Sequence, residues 1–150
     1  ALSSAEAKIP DVTFKAHFNP AMIRSLQAVR TISDTNSASL LDARSPGRFN
    51  GIEPEPRPNC RPGHIPGSRN LPFTNLIDPK TGTVNPIAEI KTLLDEFDVD
   101  LDKPVVTTCG SGITACVLAL GLHLTGFTDV AVYDGSWTEW GSRTDTPVET

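Results

Sequence analysis

Val105-Val106-Thr107-Thr108-Cys109-Gly110-Ser111-Gly112-Ile113-Thr114-Ala115-Cys116 decides the fold of this chain. A β-branched run ends abruptly at a cysteine, two glycines bracket a serine, and a long apolar helical pattern begins. That order reads as strand, tight loop, helix, with a thiol at the turn. A helix N-terminus carries unpaired N–H groups and partial positive charge, so a thiolate held over it is stabilised and its pKa falls. Gly110 and Gly112 let the backbone curl until successive N–H groups converge on one point, a nest for an anion. The stretch reads as a nucleophile, Cys109, inside an anion cradle. A cysteine at a strand end commonly does nothing but pack. A packing cysteine, however, needs no glycine loop that opens a path to its sulfur.

Working outward, strands and helices alternate on both sides of this stretch. Ser39-Leu40-Leu41-Asp42-Ala43-Arg44 reads as a short buried strand, with Asp42 at its end bonding a neighbouring loop. Val130-Ala131-Val132-Tyr133 is a last buried strand. Ile87, Ile90, Leu93, Leu94 and Phe97 make one apolar stripe of a helix begun at Asn85-Pro86. A second helix begins at Asn19-Pro20 and carries Met22, Ile23, Leu26 and Val29 to about Thr31. From Gly112 to Leu124 the helix is apolar almost all round, which predicts burial on most faces, with Cys116 as inert packing and Gly126 at its C-terminal end. Val12 to Ala16 reads as a short edge strand, residues 78–85 as a surface turn, and Trp137 and Trp140 as packing residues. The alternation implies an α/β fold with a parallel sheet. Ligands of such sheets sit beyond the carboxyl ends of the strands, where Cys109 lies.

The loop of residues 44–63 holds Arg44, Arg48, Arg57 and Arg61 among five prolines, Pro46, Pro54, Pro56, Pro58 and Pro62. Prolines restrict a loop, and guanidinium groups bind carboxylates in a planar fork. Arg44 and Arg61 are expected to be solvated surface charges. For Arg48 and Arg57 a surface role and a binding role stand level on composition. His64, between glycines and prolines, is expected to be a structural hydrogen-bonding residue.

Composition bounds the rest. At 150 residues, 38% hydrophobic and 21% charged, the chain has the size and content of one globular domain. A net charge of −5 gives no basic surface for nucleic acid or an anionic membrane. No apolar run approaches transmembrane length. Ala1-Leu2-Ser3-Ser4-Ala5 is too short and too polar for a secretory signal, and the missing initiator methionine points to processing or to a piece of a longer chain. Three cysteines, Cys60, Cys109 and Cys116, make no disulfide framework and suit a reducing compartment. His17, His64 and His123 fall at no zinc spacing with them, so no metal is expected.

Six ordered stretches then resemble one family: Leu41-Asp42-Ala43-Arg44, Gly47-Arg48-Phe49, Glu53-Pro54-Glu55-Pro56-Arg57, Gly63-His64-Ile65-Pro66-Gly67, Cys109-Gly110-Ser111-Gly112-Ile113-Thr114, and Asp134-Gly135-Ser136-Trp137-Thr138-Glu139-Trp140. They look like the catalytic C-terminal domain of the two-domain rhodanese family, with a loop similar to that of 3-mercaptopyruvate sulfurtransferases. The resemblance covers residues 14–150, and residues 1–13 resemble the linker before that domain. It implies a three-layer α/β/α fold with a five-stranded parallel sheet. Cys109 would take a sulfur atom from the donor as a persulfide and pass it to a thiol acceptor such as thioredoxin, or to cyanide. Arg48 and Arg57 would hold the carboxylate and keto group of mercaptopyruvate, and the amides of Gly110, Ser111, Gly112, Ile113 and Thr114 would hold the persulfide. No cofactor is expected.

The uncharged loop attracts a dianion such as thiosulfate less than a basic loop does, and the Ser111 hydroxyl could relay a proton from the substrate thiol. In the mercaptopyruvate enzymes that serine belongs to a triad whose His and Asp come from an N-terminal domain. The resemblance therefore implies an N-terminal rhodanese domain in the full-length protein. The reducing compartment that the cysteines suit is expected to be cytoplasmic or mitochondrial. Thiosulfate sulfurtransferase activity, a non-catalytic docking module and a cysteine phosphatase are the competing readings. Phosphatase loops end in arginine six positions after the cysteine, where this chain has Ala115.

Overall fold

The computed structural model describes residues 11–150. The linker expected at residues 1–13 therefore falls mostly outside the described residues. In chain order the elements are β1 (Ile23–Arg24), α1 (Leu26–Thr35), β2 (Ser39–Asp42), α2 (Pro46–Phe49), β3 (Arg69–Asn70), α3 (Ile87–Glu96), β4 (Val105–Thr108), α4 (Ala115–Leu124), β5 (Val130–Tyr133) and α5 (Ser136–Trp140). The five strands form one sheet in the order β1-β5-β4-β2-β3, and every pairing is parallel. The alternation of elements predicts the parallel sheet, and the family resemblance its five strands with helices on both faces.

Strand β4 is central and buried at all four residues, as a continuous β-branched run in a doubly covered sheet must be. Its residues alternate between two cores. Val105 points with Leu41 into a core closed by Ile90, Leu94, Leu118 and Leu122 of α3 and α4. Val106 points with Leu40 into the other, closed by Val29 of α1 and by Trp137 and Trp140 of α5. Each fully buried leucine there contributes about 2 kcal/mol of transfer free energy.

Several local expectations are corrected. Val12 to Ala16 forms no strand, and the sheet edge is β1 instead. Asn19 does cap, its side chain accepting from Ala21 N–H, but it caps only a 3-10 turn at Pro20–Met22. The longer helix starts after Ser25, whose hydroxyl accepts from Ala28 N–H. The chain needs the extended residues Ile23 and Arg24 to pair with Val132 and Tyr133, and that pairing overrides the helical spacing. Asn85 does not cap α3, because its amide donates to Asn75 carbonyl instead.

Helix α4 buries only the side carrying Ala115, Leu118, Gly121 and Leu122. Cys116, Leu120 and Leu124, on the opposite side, are exposed. Cys116 is thus not packing, and its thiol donates to Gly112 carbonyl at 3.3 Å.

Candidate active site

Strands β2 and β4 end side by side, with Asp42 paired to Thr108 and Ala43 N–H donating to Thr108 carbonyl at 2.9 Å. The loops that leave them must therefore share one edge of the sheet. Cys109 is the first residue past β4, and the arginine loop follows β2. Together they line a cleft of about 250 Å³ whose walls include Arg48, Glu55, Arg57, Gly110, Ser111 and Thr138. Cys109 sits at its base, only 2% exposed. Ile113 and Thr114 also line it, and Ile113 stands at the rim, 74% exposed.

The structure starts α4 at Ala115, three residues later than the apolar pattern suggests. Gly112 to Thr114 thereby remain in the loop. Ser111 N–H donates to Cys109 Sγ at 3.4 Å. Burial is the largest single influence on the thiol and pushes its pKa up. The Thr114 hydroxyl and the N–H groups of Ser111, Ala115 and Thr114 outweigh it together, and the thiol lies below its ordinary value. Gly112 adopts φ +84°, and a Cβ there would meet Asp134 carbonyl oxygen at 2.9 Å. At Gly110 a Cβ would meet Arg48 Nη2 at 2.8 Å, so the missing side chain is what lets the guanidinium lie against the loop.

Helix α5 buttresses the loop from behind, a role the sequence reading missed. Cys109 N–H donates to Ser136 Oγ at 3.1 Å, and the Ser136 hydroxyl donates to Tyr133 carbonyl at 2.8 Å. Ser136 holds φ +50°, an uncommon conformation for a residue with a side chain, and is fully buried. Trp137 N–H donates to Cys109 carbonyl and Thr138 N–H to Gly110 carbonyl, both at 2.9 Å. The Thr138 hydroxyl also donates to Gly110 carbonyl. Two hydroxyl residues straight after the last strand are the signal that could have found this support. Their position puts them at the same sheet edge as Cys109.

A ladder of charges organises the arginine loop. Arg44 pairs with Asp42 at 2.7 Å and with Glu55 at 2.8 Å, and Glu55 pairs with Arg48 at 2.6 Å. Arg44 also lies over the Trp137 ring, 4.6 Å from its centroid. It is 2% exposed, so the expectation of a solvated charge is overturned. Arg61 is likewise structural, donating to the carbonyls of Trp140 and Gly141 and to Thr146. Asp42 serves structure, as expected, but through a buried ion pair rather than backbone amides alone. Arg57 is exposed at the cleft mouth and donates to Thr138 Oγ1 at 2.7 Å. Glu55, given no role in the sequence reading, sets one carboxylate against two guanidiniums in the cleft, a net charge of one positive before Cys109 ionises.

His64 is structural. Its Nδ1 lies 2.9 Å from Phe49 carbonyl, and its ring stacks on Phe49 at 3.7 Å. Among the described residues no histidine lines the cleft, so Ser111 has no imidazole beside it there.

The parallel α/β sheet thus presents an amide-bonded thiol at the end of its central strand, opposite arginines. Residues 25–143 match the rhodanese-like domain, and the chain belongs to that family. It is 45% identical over 141 residues to "Thiosulfate/3-mercaptopyruvate sulfurtransferase 1, mitochondrial" of Arabidopsis thaliana, covering 94% of this chain and 37% of that protein. To the human "3-mercaptopyruvate sulfurtransferase" it is 44% identical over 142 residues, covering 95% of this chain and 48% of that protein. The crystal structure of SseA, an Escherichia coli 3-mercaptopyruvate sulfotransferase, superposes with a TM-score of 0.76 at 35% identity, covering 90% of this chain and 49% of that one. The chain thus spans about half the length, or less, of the relatives it matches.

Proposed function

We propose that this domain transfers sulfane sulfur from 3-mercaptopyruvate to an acceptor through a persulfide on Cys109. The observation that carries the reading is the Cys109 sulfur held by a loop amide at the base of a cleft that Arg48 and Arg57 line. Cys109 thiolate attacks the donor sulfur, an S–S bond forms, and the donor C–S bond breaks. The electron pair leaves as the enolate of pyruvate, which takes up the proton from the donor thiol. Cyanide or a thiol such as that of thioredoxin then takes the outer sulfur and frees the Cys109 thiolate. No outside oxidant or reductant is consumed in the first step.

Arg48 and Arg57 would bind the donor's carboxylate and keto oxygen by charge-assisted hydrogen bonds. The amides of Gly110, Ser111, Gly112, Ile113 and Thr114 would hold the persulfide anion. Two guanidiniums against Glu55 and the Cys109 thiolate leave no excess positive charge, which suits a monoanionic donor better than a dianion. Thiosulfate, in the name of the Arabidopsis relative, is accordingly the second donor. The unit that does this is residues 14–150, with residues 1–13 as the linker from a preceding rhodanese domain. A reducing compartment, cytoplasmic or mitochondrial, suits three cysteines that are all free.

Mass spectrometry after incubation with 3-mercaptopyruvate tests the reading. The expected result is one added sulfur on the peptide bearing Cys109 and none in Cys109→Ser. An unmodified Cys109 would leave the docking module as the better account. Hydrolysis of p-nitrophenyl phosphate that Cys109→Ser abolishes would favour the phosphatase instead.

A further inference from the structure

The peptide unit between Gly110 and Ser111 is bonded at both ends. Its N–H donates to Cys109 Sγ at 3.4 Å. Its carbonyl accepts two bonds from one residue, the Thr138 N–H at 2.9 Å and the Thr138 hydroxyl. A hydroxyl has one proton to give, and here it goes to that carbonyl, which leaves a lone pair for an incoming donor. Arg57 Nη1 supplies that donor at 2.7 Å. A line of hydrogen bonds thus runs from the Arg57 guanidinium through the Thr138 hydroxyl and the Gly110–Ser111 peptide to the sulfur. Bonds in series polarise one another, and a cation at the head strengthens each donor after it.

We propose that Thr138 is a positioning residue that fixes and polarises the Gly110–Ser111 peptide so that its N–H stays on the Cys109 sulfur. The role rests on the reading of Cys109 as the reacting thiolate. It gives Arg57 a second task, since the side chain at the cleft mouth also stiffens the cradle at the base.

The test is the pH dependence of Cys109 alkylation by iodoacetamide, read at the Cys109 peptide by mass spectrometry so that Cys60 and Cys116 do not interfere. Thr138→Val keeps the shape and removes the hydroxyl, and Thr138→Ser restores it. The charged groups facing Cys109 across the cleft, Arg48, Glu55 and Arg57, are the same residues in both variants, and Arg57 loses its bond to the hydroxyl in the valine variant alone. The valine variant is expected to show a higher alkylation midpoint and about three- to tenfold slower alkylation at neutral pH, the loss that goes with one hydrogen bond. The serine variant should match the unaltered chain. A valine midpoint equal to that of the unaltered chain, or a serine variant shifted as far as valine, overturns the proposal. Thr138→Ala repeats the measurement should circular dichroism show the valine variant unfolded. Alkylation needs no sulfur donor, so the two readings fail separately. A chain that takes no sulfur yet shows the shift loses the proposed function and keeps this role for Thr138.

Discussion

At the scale of single residues, Cys109 sets two opposed forces against each other. Burial disfavours its charged form, while the Thr114 hydroxyl and the loop amides favour it and win. A group whose pKa is lowered in the folded chain stabilises that chain when ionised. The stabilisation is present in full above the ordinary thiol value of 9.0 and is lost as pH falls through the lower, native value. Urea unfolding of the unaltered chain and of Cys109→Ala should therefore diverge with pH. The difference in stability between them should grow in favour of the thiol across that window and level off above it. The packing lost with the side chain adds a constant that does not vary with pH. A difference flat from neutral pH to above 9.0 would mean that the cradle gives the thiolate no net help.

At the scale of elements, the informative contrast is between β4 and the arginine loop. Strand β4 and the apolar run after it were legible because their signals are local: β-branched residues, a glycine break, an apolar period. The start of α4 was not, since Gly112 to Thr114 are apolar enough to continue a helix and are held out of it by contacts with Asp134 and Cys109. Arg44 was misread for a related reason. Its burial depends on Asp42, Glu55 and the Trp137 ring, and the last of these lies at the far end of the chain. Composition cannot see such a partner. Arg44 also donates to Gly63 carbonyl at 2.9 Å, so it pins both ends of the loop that carries Arg48 and Arg57. Removing it strands Asp42 without its guanidinium inside the protein. Arg44→Ala should lower stability by about 3–5 kcal/mol, the cost of breaking a buried pair by deleting one partner. Chemical denaturation measures this directly. A loss below about 1 kcal/mol, the range of surface pairs, would restore the solvated reading of Arg44.

At the scale of the whole molecule, the cleft that holds Cys109 and Ser111 has no histidine among the described residues that line it. His64 is committed to Phe49, His123 lies on the exposed side of α4, and His17 is exposed, so none of the three shares the cleft with Ser111. The resemblance that gives Ser111 a relay role takes its His and Asp partners from another domain. The chain spans only about half of the human and Escherichia coli relatives. General acid–base steps contribute on the order of 10²- to 10⁴-fold to a rate. The 150-residue chain should therefore turn over 3-mercaptopyruvate roughly 10²-fold or more slowly than the full-length Escherichia coli 3-mercaptopyruvate sulfurtransferase. Within this chain Ser111→Ala should cost little, because a hydroxyl with no base behind it moves no proton. The loop amides are backbone groups and survive that substitution, so Cys109 should still accept sulfur at a comparable extent. Steady-state rates for both proteins and for Ser111→Ala of this chain check the argument. Equal turnover by the short chain and the full-length Escherichia coli enzyme would show that the proton leaves the donor thiol without the relay. A large loss in Ser111→Ala of the short chain would place a working base inside this domain.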